Sequence, residues 1–414
     1  MSAEAHNRIA RLASHGAVHR AFRWMHLHQQ QIRRWHIDLL RIPAPPFGES
    51  RRAAWFLDRF VELGLSYAHL DEAGNAVAEL PGRADRPDAP VVLLSAHLDT
   101  VFPPNTPIDI RESGARLLAP GACDNGAGLS ALLAFAAALM HAELTPPVTI
   151  LFAANVGEEG EGNLRGMRHL FTEGRYARRI AASIALEGAG NAALVARALA
   201  SRRFRVTVTG PGGHSWIDAG ALNPILLLAR ALLALNPPDV PGTEPRTTLN
   251  IGQIAGGTSI NSIPESASAL IDLRSTDAVR LAAAELHLRN TMTEWIVNVP
   301  YPQVTMDPAP HPTLAIELIG DRPGGALPSD SPLLETIRAV DRHLNLRTDP
   351  GLGSTDANIP LSLGIPAVAM GTGGSSGGIH TLAEWYDPTG RDIALRRILL
   401  TLLDTLERVA GREH

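Results

Sequence analysis

The stretch VTILFAANVGEEGEGN, residues 148–163, decides how this sequence folds. Its first seven residues are apolar apart from Thr149, which is typical of a buried strand, and its end carries three glutamates within four positions. Two carboxylates about 4 Å apart repel by ~1 kcal/mol in water and by ~4 kcal/mol at the effective dielectric of a protein site. The end of this strand is therefore either a solvated turn or a cation site, and the rest of the chain decides between them.

Strands and helices alternate on both sides of this stretch. Residues 91–100, VVLLSAHLDT, and residues 181–190, AASIALEGAG, are short apolar runs that end in polar residues, as buried parallel strands do. Residues 125–142 and 165–174 have the composition and the apolar spacing of helices. The resulting β-α-β-α-β series predicts an α/β sheet layered with helices.

The pattern changes near residue 200. Residues 202–216, RRFRVTVTGPGGHSW, alternate apolar and polar positions, as a half-exposed antiparallel strand does. The segments that follow predict the order β-α-β-β-α-β, after which the α/β pattern returns. We therefore predict a discontinuous domain formed by residues 1–199 and 322–414, interrupted by a small α+β domain at residues 200–321.

Both ends of the chain are predicted to be helical. The first 65 residues have a single predicted break at residues 41–50, RIPAPPFGES, where three prolines and a glycine stop one helix. Residues 391–412 form an amphipathic closing helix.

Composition excludes several functional classes. The chain of 414 residues exceeds the usual size of one domain, and its 45% hydrophobic and 19% charged residues are typical of a folded enzyme. The net charge of -5 gives no basic field for nucleic acid, and the apolar runs are shorter than the roughly 20 residues that span a membrane. The N-terminus lacks the apolar segment of a signal peptide, so we expect a cytoplasmic protein without nucleic-acid or membrane partners.

Seven polar residues fall at the ends of predicted strands or at the start of a helix. They are His97, Asp99, Asp124, Glu158, Glu159, Glu187 and His380. Ligands bind at the carboxyl edge of the strands in open α/β sheets, so topology predicts that these side chains converge. The chain has one cysteine, Cys123, which excludes a Cys-rich zinc site. Histidine and carboxylate ligands suit one or two divalent ions, with zinc as the first choice and cobalt or manganese as alternatives.

The spacing of these residues has a physical meaning. His97 and Asp99 are two positions apart on a predicted strand and face the same side, so Asp99 can accept the ring N–H of His97. The adjacent residues Glu158 and Glu159 can have different roles, because one can bind a metal ion while the other transfers protons.

These motifs, in this order, resemble those of the M20 family of metallopeptidases and deacylases, which includes peptidase T, carboxypeptidase G2, acetylornithine deacetylase and succinyl-diaminopimelate desuccinylase. The resemblance runs from IPAPPFGES, residues 42–50, to the C-terminal helix. It implies a phosphorylase/hydrolase-like catalytic domain with a mixed sheet between helices, interrupted by a ferredoxin-like α+β lid, or dimerisation, domain. It also implies two divalent metal ions, and it allows a homodimer formed through the lid.

The resemblance gives each of the seven residues a role. The implied ligands are His97, Asp124 and Glu187 for one ion, and Asp124, Glu159 and His380 for the other. Glu158 is then the general base, and Asp99 is the partner of His97. In this family the peptide bond after the shared aspartate is often cis, and here that is the bond between Asp124 and Asn125.

The small domain contributes further candidates. His214, in GPGGHSW, matches the histidine that stabilises the oxyanion, in dimeric members from the partner subunit. Asn261 and Arg274 match the segment that anchors the substrate, and the bidentate guanidinium of arginine suits a substrate carboxylate.

The implied reaction is metal-assisted hydrolysis of an amide. A di- or tripeptidase acting on a small peptide with a free carboxylate is the first choice, and an N-acyl-amino-acid deacylase shares every motif. A non-catalytic binding protein is a third possibility, against which the presence of Glu158 argues. Residues 374–378, GSSGG, also match the G-x-S-x-G motif of serine hydrolases, with Ser376 as nucleophile, but this run of small residues leads directly to His380.

Overall fold

The structure is a computed structural model that describes residues 3–84, 86, 88–235, 245–298 and 311–411. The chain divides into two units. The larger unit comprises Met1–Ala198 and Gly325–His414, and the smaller unit comprises Leu199–Gly324. The sequence predicts these boundaries after residues 199 and 321.

The described residues form the following elements. The helices are α1 (Ala3–Ala13), α2 (Gly16–Leu27), α3 (Gln29–Leu40), α4 (Ser50–Glu62), α5 (Gly126–His141), α6 (Arg165–Thr172), α7 (Pro224–Ala234), α8 (Ala278–Met292), α9 (Pro332–His343), α10 (Asn358–Ser362) and α11 (Asp392–Ala410), with a 3-10 turn at Gly160–Gly162 and a π turn at Thr293–Val297. The strands are β1 (Ser66–Leu70), β2 (Ala76–Leu80), β3 (Val91–His97), β4 (Arg111–Ser113), β5 (Arg116–Leu118), β6 (Thr149–Asn155), β7 (Ile180–Leu186), β8 (Leu194–Ala198), β9 (Ala200–Thr209), β10 (Gly213–His214), β11 (Thr247–Gly256), β12 (Ser262–Ile263), β13 (Ser266–Ser275), β14 (Thr313–Arg322), β15 (Gly325–Ala326), β16 (Gly351–Gly353), β17 (Ala367–Met370), β18 (Ser375–Gly377) and β19 (Trp385–Asp387).

A mixed sheet forms the centre of the larger unit, in the order β1-β2-β6-β3-β7-β17-β8-β15, with β16 also paired to β8. The four strands β6, β3, β7 and β17 are parallel, while β2 and β8 flank them in the antiparallel direction. Every residue of β3 and β6 is buried, as strands covered on both faces require. The predicted α/β fold with a mixed sheet between helices is confirmed.

Helix α5 is buried along almost its whole length, in keeping with its Ala/Leu composition. Asn125 caps its first turn, since the side-chain Oδ1 accepts the amide N–H of Gly128 at 3.1 Å. A Cβ atom on Gly128 would lie 2.1 Å from that Oδ1 and 2.6 Å from the carbonyl oxygen of Leu186. Glycine at this position therefore lets α5 approach the end of β7 closely.

The N-terminal segment differs from its prediction. It forms three helices before residue 41 where the sequence predicted one, with breaks at Ser14–His15 and at His28. The missed break has a local cause, because the extended backbone of His15 lets its ring Nδ1 accept the N–H of Ala17 at 3.4 Å and begin α2. Ile9, Ala21 and other apolar side chains of these helices are fully buried in the core of the larger unit.

The smaller unit is a four-stranded antiparallel sheet in the order β11-β13-β9-β14, with α7 and α8 packed against it. Its chain order is β-α-β-β-α-β, so the predicted ferredoxin-like insert is confirmed. Alternate residues of β13 are buried, which places Ile271 and Leu273 in the core under the helices. A two-stranded ribbon, β10 with β12, carries His214.

Candidate metal centre

Three neighbouring strands of the larger unit end at the same edge. His97 is the last residue of β3 and pairs with Asn155, the last residue of β6. Glu187 directly follows β7, and Glu158 and Glu159 lie three and four positions beyond the end of β6. The sheet topology thus brings together side chains that are far apart in the sequence, since 90 positions separate His97 from Glu187.

Asp124 lies between two histidines. Its Oδ1 is 3.1 Å from Nε2 of His97, and its Oδ2 is 2.9 Å from Nε2 of His380. Glu187 Oε1 is 3.4 Å from the same atom of His97, and Glu159 Oε1 is 3.2 Å from the same atom of His380. The candidate ligand atoms within each trio lie within 4.8 Å of one another. Each oxygen of one carboxylate therefore belongs to a different cluster of one histidine and two carboxylates.

The donor atoms of this cluster fit a bound metal ion. His97 Nε2 and Asp124 Oδ1 are buried and make no hydrogen bond, although they are close together. Polar atoms buried in this way cost free energy unless a partner satisfies them. Nδ1 of His97 lies 3.1 Å from the carbonyl oxygen of Asp99, which suits a ring that donates from Nδ1 and offers the Nε2 lone pair to a cation.

The electrostatics of the cluster also favour positive charge. Burial lowers the pKa of His97, but Glu187, Asp124 and Asp99 outweigh it and raise that pKa well above its ordinary value. Hydrogen bonds to Asp124 and Glu159 raise the pKa of His380 to about 10. Burial raises the pKa of Glu187 to about 7. The carboxylates that raise the pKa of the two histidines would also attract a divalent cation.

Asp99 contacts both His97 and the backbone of the two glutamates. The sequence predicts that its carboxylate accepts the ring N–H of His97, and Oδ1 lies 3.4 Å from Nδ1, slightly farther than the backbone oxygen of Asp99 at 3.1 Å. Its carboxylate accepts the amide N–H groups of Glu158 at 3.0 Å and Glu159 at 2.7 Å. Asp99 therefore fixes the backbone that presents both glutamates.

Two further expectations concern the segments beside Asp124 and His380. The peptide bond between Asp124 and Asn125 is cis, as predicted. Ser376 lies in the short strand β18, and the next helix in the chain begins only at Asp392. A nucleophile elbow needs a helix directly after the turn, so the serine-hydrolase interpretation fails at its structural requirement.

The smaller unit brings two of its three candidate residues together. His214 is opposite Ser262 in the β10–β12 ribbon, and the amide of Ser215 donates to the carbonyl oxygen of Asn261 at 3.1 Å. Nδ1 of His214 accepts the amide N–H of Trp216 at 3.1 Å. Because Nδ1 is an acceptor, a neutral His214 ring carries its proton on Nε2 and can donate from there.

Arg274 is not brought to this ribbon. It pairs with Ser201 at one end of the sheet, whereas Ser266 at the start of the same strand pairs with Thr209. Eight residues of strand correspond to roughly 27 Å. The guanidinium Nε donates to Oδ2 of Asp272 at 2.6 Å, so Arg274 forms an ion pair within its own strand.

Sequence reasoning missed two buried carboxylates next to the cluster. Both carboxylate oxygens of Asp356 accept from Nδ2 of Asn155 at the end of β6, each at 2.9 Å. Glu384 accepts the amide N–H of Asp124, and burial raises its pKa to about 7. Since 260 positions separate Glu384 from Asp124, no local spacing signals this contact.

Comparison with known families decides the classification. The sequence model of peptidase family M20/M25/M40 matches residues 93–405, which include every candidate ligand. The chain belongs to this peptidase family. The resemblance read from the motifs is confirmed.

Individual M20 relatives show the range of the similarity. A probable carboxypeptidase of Aspergillus clavatus is 30% identical over 273 residues, which are 61% of this chain and 58% of that protein. This chain therefore spans less than two thirds of that relative. A Mycobacterium tuberculosis protein with the provisional name succinyl-diaminopimelate desuccinylase DapE is 28% identical over 349 residues, which cover 81% of this chain and 88% of the relative.

The fold likeness is broader than the sequence likeness. The crystal structure of the Bacillus subtilis YXEP protein, described as a dinuclear metal binding peptidase of the M20 family, superposes with a TM-score of 0.65 at 17% identity. The match covers 91% of this chain and 98% of that one. Within the described residues no helix has both the length and the apolar content needed to cross a membrane.

Proposed function

We propose that this M20 protein is a di-metal amide hydrolase, most simply a di- or tripeptidase that cleaves small peptides with a free carboxylate. The observation that carries the proposal is the position of Asp124, which offers one oxygen beside His97 and the other beside His380. Glu187 and Glu159 complete the two ligand sets. Zinc suits these ligands best, and cobalt or manganese are alternatives.

Two divalent cations bound there would supply Lewis acidity, polarising the substrate carbonyl and lowering the pKa of a water toward ~7. Glu158 takes the proton of that water and delivers it to the leaving amine. Asp99 supports this role, because its carboxylate accepts the backbone N–H of Glu158 and fixes the position of that residue. As the family resemblance implies, Nε2–H of His214 is the proposed donor to the oxyanion that develops on the carbonyl.

An N-acyl-amino-acid deacylase is the second candidate. The relative named as a desuccinylase favours it, because that match covers more of both chains than the match to the carboxypeptidase. Both reactions cleave an amide near a carboxylate, and Asn261 is the candidate that would bind this group. A binding protein on the same scaffold is the remote alternative.

The test is hydrolysis of a panel of di- and tripeptides and N-acyl amino acids by the purified chain, before and after chelation and zinc readdition. Glu158→Ala should lower kcat by about 10²–10⁴-fold, the usual contribution of general acid–base catalysis. Glu161→Ala is the matched control, since Glu161 is an exposed glutamate of the same cluster. Cleavage that survives chelation, or that Glu158→Ala leaves unchanged, would refute the proposal.

A further inference from the structure

Glu384 has no assigned part in the hydrolysis, yet it is fully buried beside the candidate ligands. Its carboxylate accepts three backbone N–H groups. Oε2 accepts that of Gly121 at 2.8 Å, and Oε1 accepts those of Cys123 at 2.7 Å and Asp124 at 2.8 Å. One side chain thus holds the whole turn that presents Asp124.

The same residue anchors the turn that presents His380. The amide of Glu384 donates to the carbonyl oxygen of Thr381 at 3.1 Å, and the amide of Thr381 donates to that of Gly378 at 3.0 Å. On the other side, the carbonyl oxygen of Glu384 accepts the amide of Ala119 at 3.0 Å, directly before the pairing of β19 with β5. His380 therefore lies in a short turn whose end is tied to the Asp124 turn through Glu384.

Neither turn is fixed by regular secondary structure. His380 has a φ of 63° and Gly121 a φ of 76°, both in the left-handed region, which costs a non-glycine residue on the order of 1 kcal/mol. A backbone of this kind keeps its conformation only where surrounding contacts determine it. The hydrogen bonds of Glu384 are contacts that can determine these backbone conformations, and they link two turns that are far apart in the sequence.

We propose that Glu384 is a positioning residue that fixes Asp124 and His380 relative to each other and thereby sets the affinity for the metal ion that both would bind. The inference rests on the proposed function, because it takes these two side chains as metal ligands. Hydrogen-bond partners of this type, one step removed from the metal, typically change metal affinity about 10–100-fold when they are removed.

The variant Glu384→Gln tests this with little change in volume. A carboxylate has acceptors for all three N–H groups, but an amide has a single acceptor oxygen and an NH₂ donor. Either orientation of the amide leaves at least one backbone N–H of the Asp124 turn facing a donor. Glu79→Gln is the matched control. Glu79 is a buried glutamate on strand β2 of the same unit, and its carboxylate accepts a hydrogen bond from the hydroxyl of Tyr176 at 2.5 Å.

The readout is the affinity of the metal-free full chain for Zn²⁺, measured by competition with a chromophoric chelator, together with hydrogen exchange of residues 119–125. We expect Glu384→Gln to bind one of its two Zn²⁺ ions about 10–100-fold less tightly and to exchange faster in this segment, while Glu79→Gln stays within about twofold of wild type. A change confined to stability would instead raise exchange throughout the unit and leave the affinity of the folded protein unchanged.

The outcomes separate this inference from the proposed function. If the wild-type chain binds no Zn²⁺, the proposed function fails. If wild type binds two ions and Glu384→Gln binds both equally well, only the positioning role fails. Should Glu384→Gln not fold, Glu384→Asp is measured in the same way, because it keeps the charge and shortens the reach. Loss of folded structure in both variants would overturn the positioning role, since Glu384 would then support the fold and not the site.

Discussion

His97 and His214 show two ways in which this chain presents a histidine. His97 is 1% exposed at the end of a central strand, within 3.4 Å of oxygens from Asp99, Asp124 and Glu187. His214 is exposed on a two-residue strand, and Nδ1 contacts only amides of its own turn among the described hydrogen bonds. The buried histidine is suited to holding a cation, and the exposed one is suited to donating to a substrate.

The difference teaches that binding of metal and turnover of substrate can be separated by mutation. The larger unit contains both candidate ligand sets and the candidate general base, and its sheet places His97 and Glu187 at the ends of neighbouring strands. The smaller unit carries the candidate donor His214 on a glycine-rich turn, where Gly212 and Gly213 have positive φ. Variants at the candidate ligands of the larger unit should lose metal, and variants at His214 should slow the reaction with the metal still bound.

Asp124→Asn should have the largest effect. Because both candidate ligand sets share this carboxylate, we expect loss of at least one metal ion and a fall in kcat/KM on the order of 10³-fold or more. Metal content by elemental analysis and peptide hydrolysis measure the two effects. Asp109→Asn, at a side chain that is 77% exposed, is the control. An Asp124→Asn protein that keeps two ions and a tenth of the activity would break the comparison.

His214→Ala should lower kcat by about 10²–10³-fold, the usual cost of losing one oxyanion donor, and should leave the metal content unchanged. Steady-state kinetics and metal analysis on the same preparation check both parts. His287→Ala, an exposed histidine on α8 of the same unit, should behave as wild type. Loss of metal from the His214 variant would contradict the separation of roles.

His36→Gln should make the larger unit less sensitive to acid. Burial, followed by the charge of Arg391, lowers the pKa of His36 to about 3, while Nε2 contacts the carbonyl oxygen of Ala122 at 2.7 Å. The unfolded chain takes up a proton near pH 6.5 and the folded chain does not, so this group lowers stability as the pH falls from about 6.5 towards 3. The cost reaches ~3 kcal/mol at pH 4.

The measurement for His36 is chemical denaturation of metal-free protein at pH 7 and pH 4. The free energy of unfolding of wild type should fall more steeply between these values than that of His36→Gln. Parallel pH dependence of the two proteins would show that His36 does not contribute.

Trp216→Ala should have the smallest effect on stability. Trp216 is 84% exposed, so the free energy of unfolding should change by less than about 0.5 kcal/mol. Leu273→Ala in the same unit removes a fully buried side chain and should cost about 2–5 kcal/mol. Denaturation curves of both variants would sharpen the comparison, because equal losses would mean that the exposed turn after β10 supports the fold.

The strands, their order and the residues at their ends could be predicted from the sequence, because they depend on periodicity and on sheet topology. The apolar runs ending at His97 and Glu187 indicated the strands, and the edge rule predicted that these residues would meet. The β-α-β-β-α-β order of the smaller unit follows from the same kind of pattern. The role of His214, in contrast, came only from the family resemblance, because a glycine-rich turn has no periodicity.

What the sequence did not predict depends on contacts made by single side chains. The breaks at His15 and His28 have no proline or glycine signal strong enough to show against a helical composition. The carboxylate of Asp99 accepts amides because the strand stops two residues earlier, and pattern analysis locates such ends poorly. Glu384 acts on a backbone 260 positions away.

The insertion of the smaller unit imposes an order of assembly on a growing chain. Strand β17 lies between β7 and β8 in the sheet, yet it is synthesised only after the whole smaller unit, and His380 follows it. The inner position of the sheet can therefore be filled only after the smaller unit has been synthesised. The second candidate ligand set needs His380 as well, so it cannot form before that segment has been made.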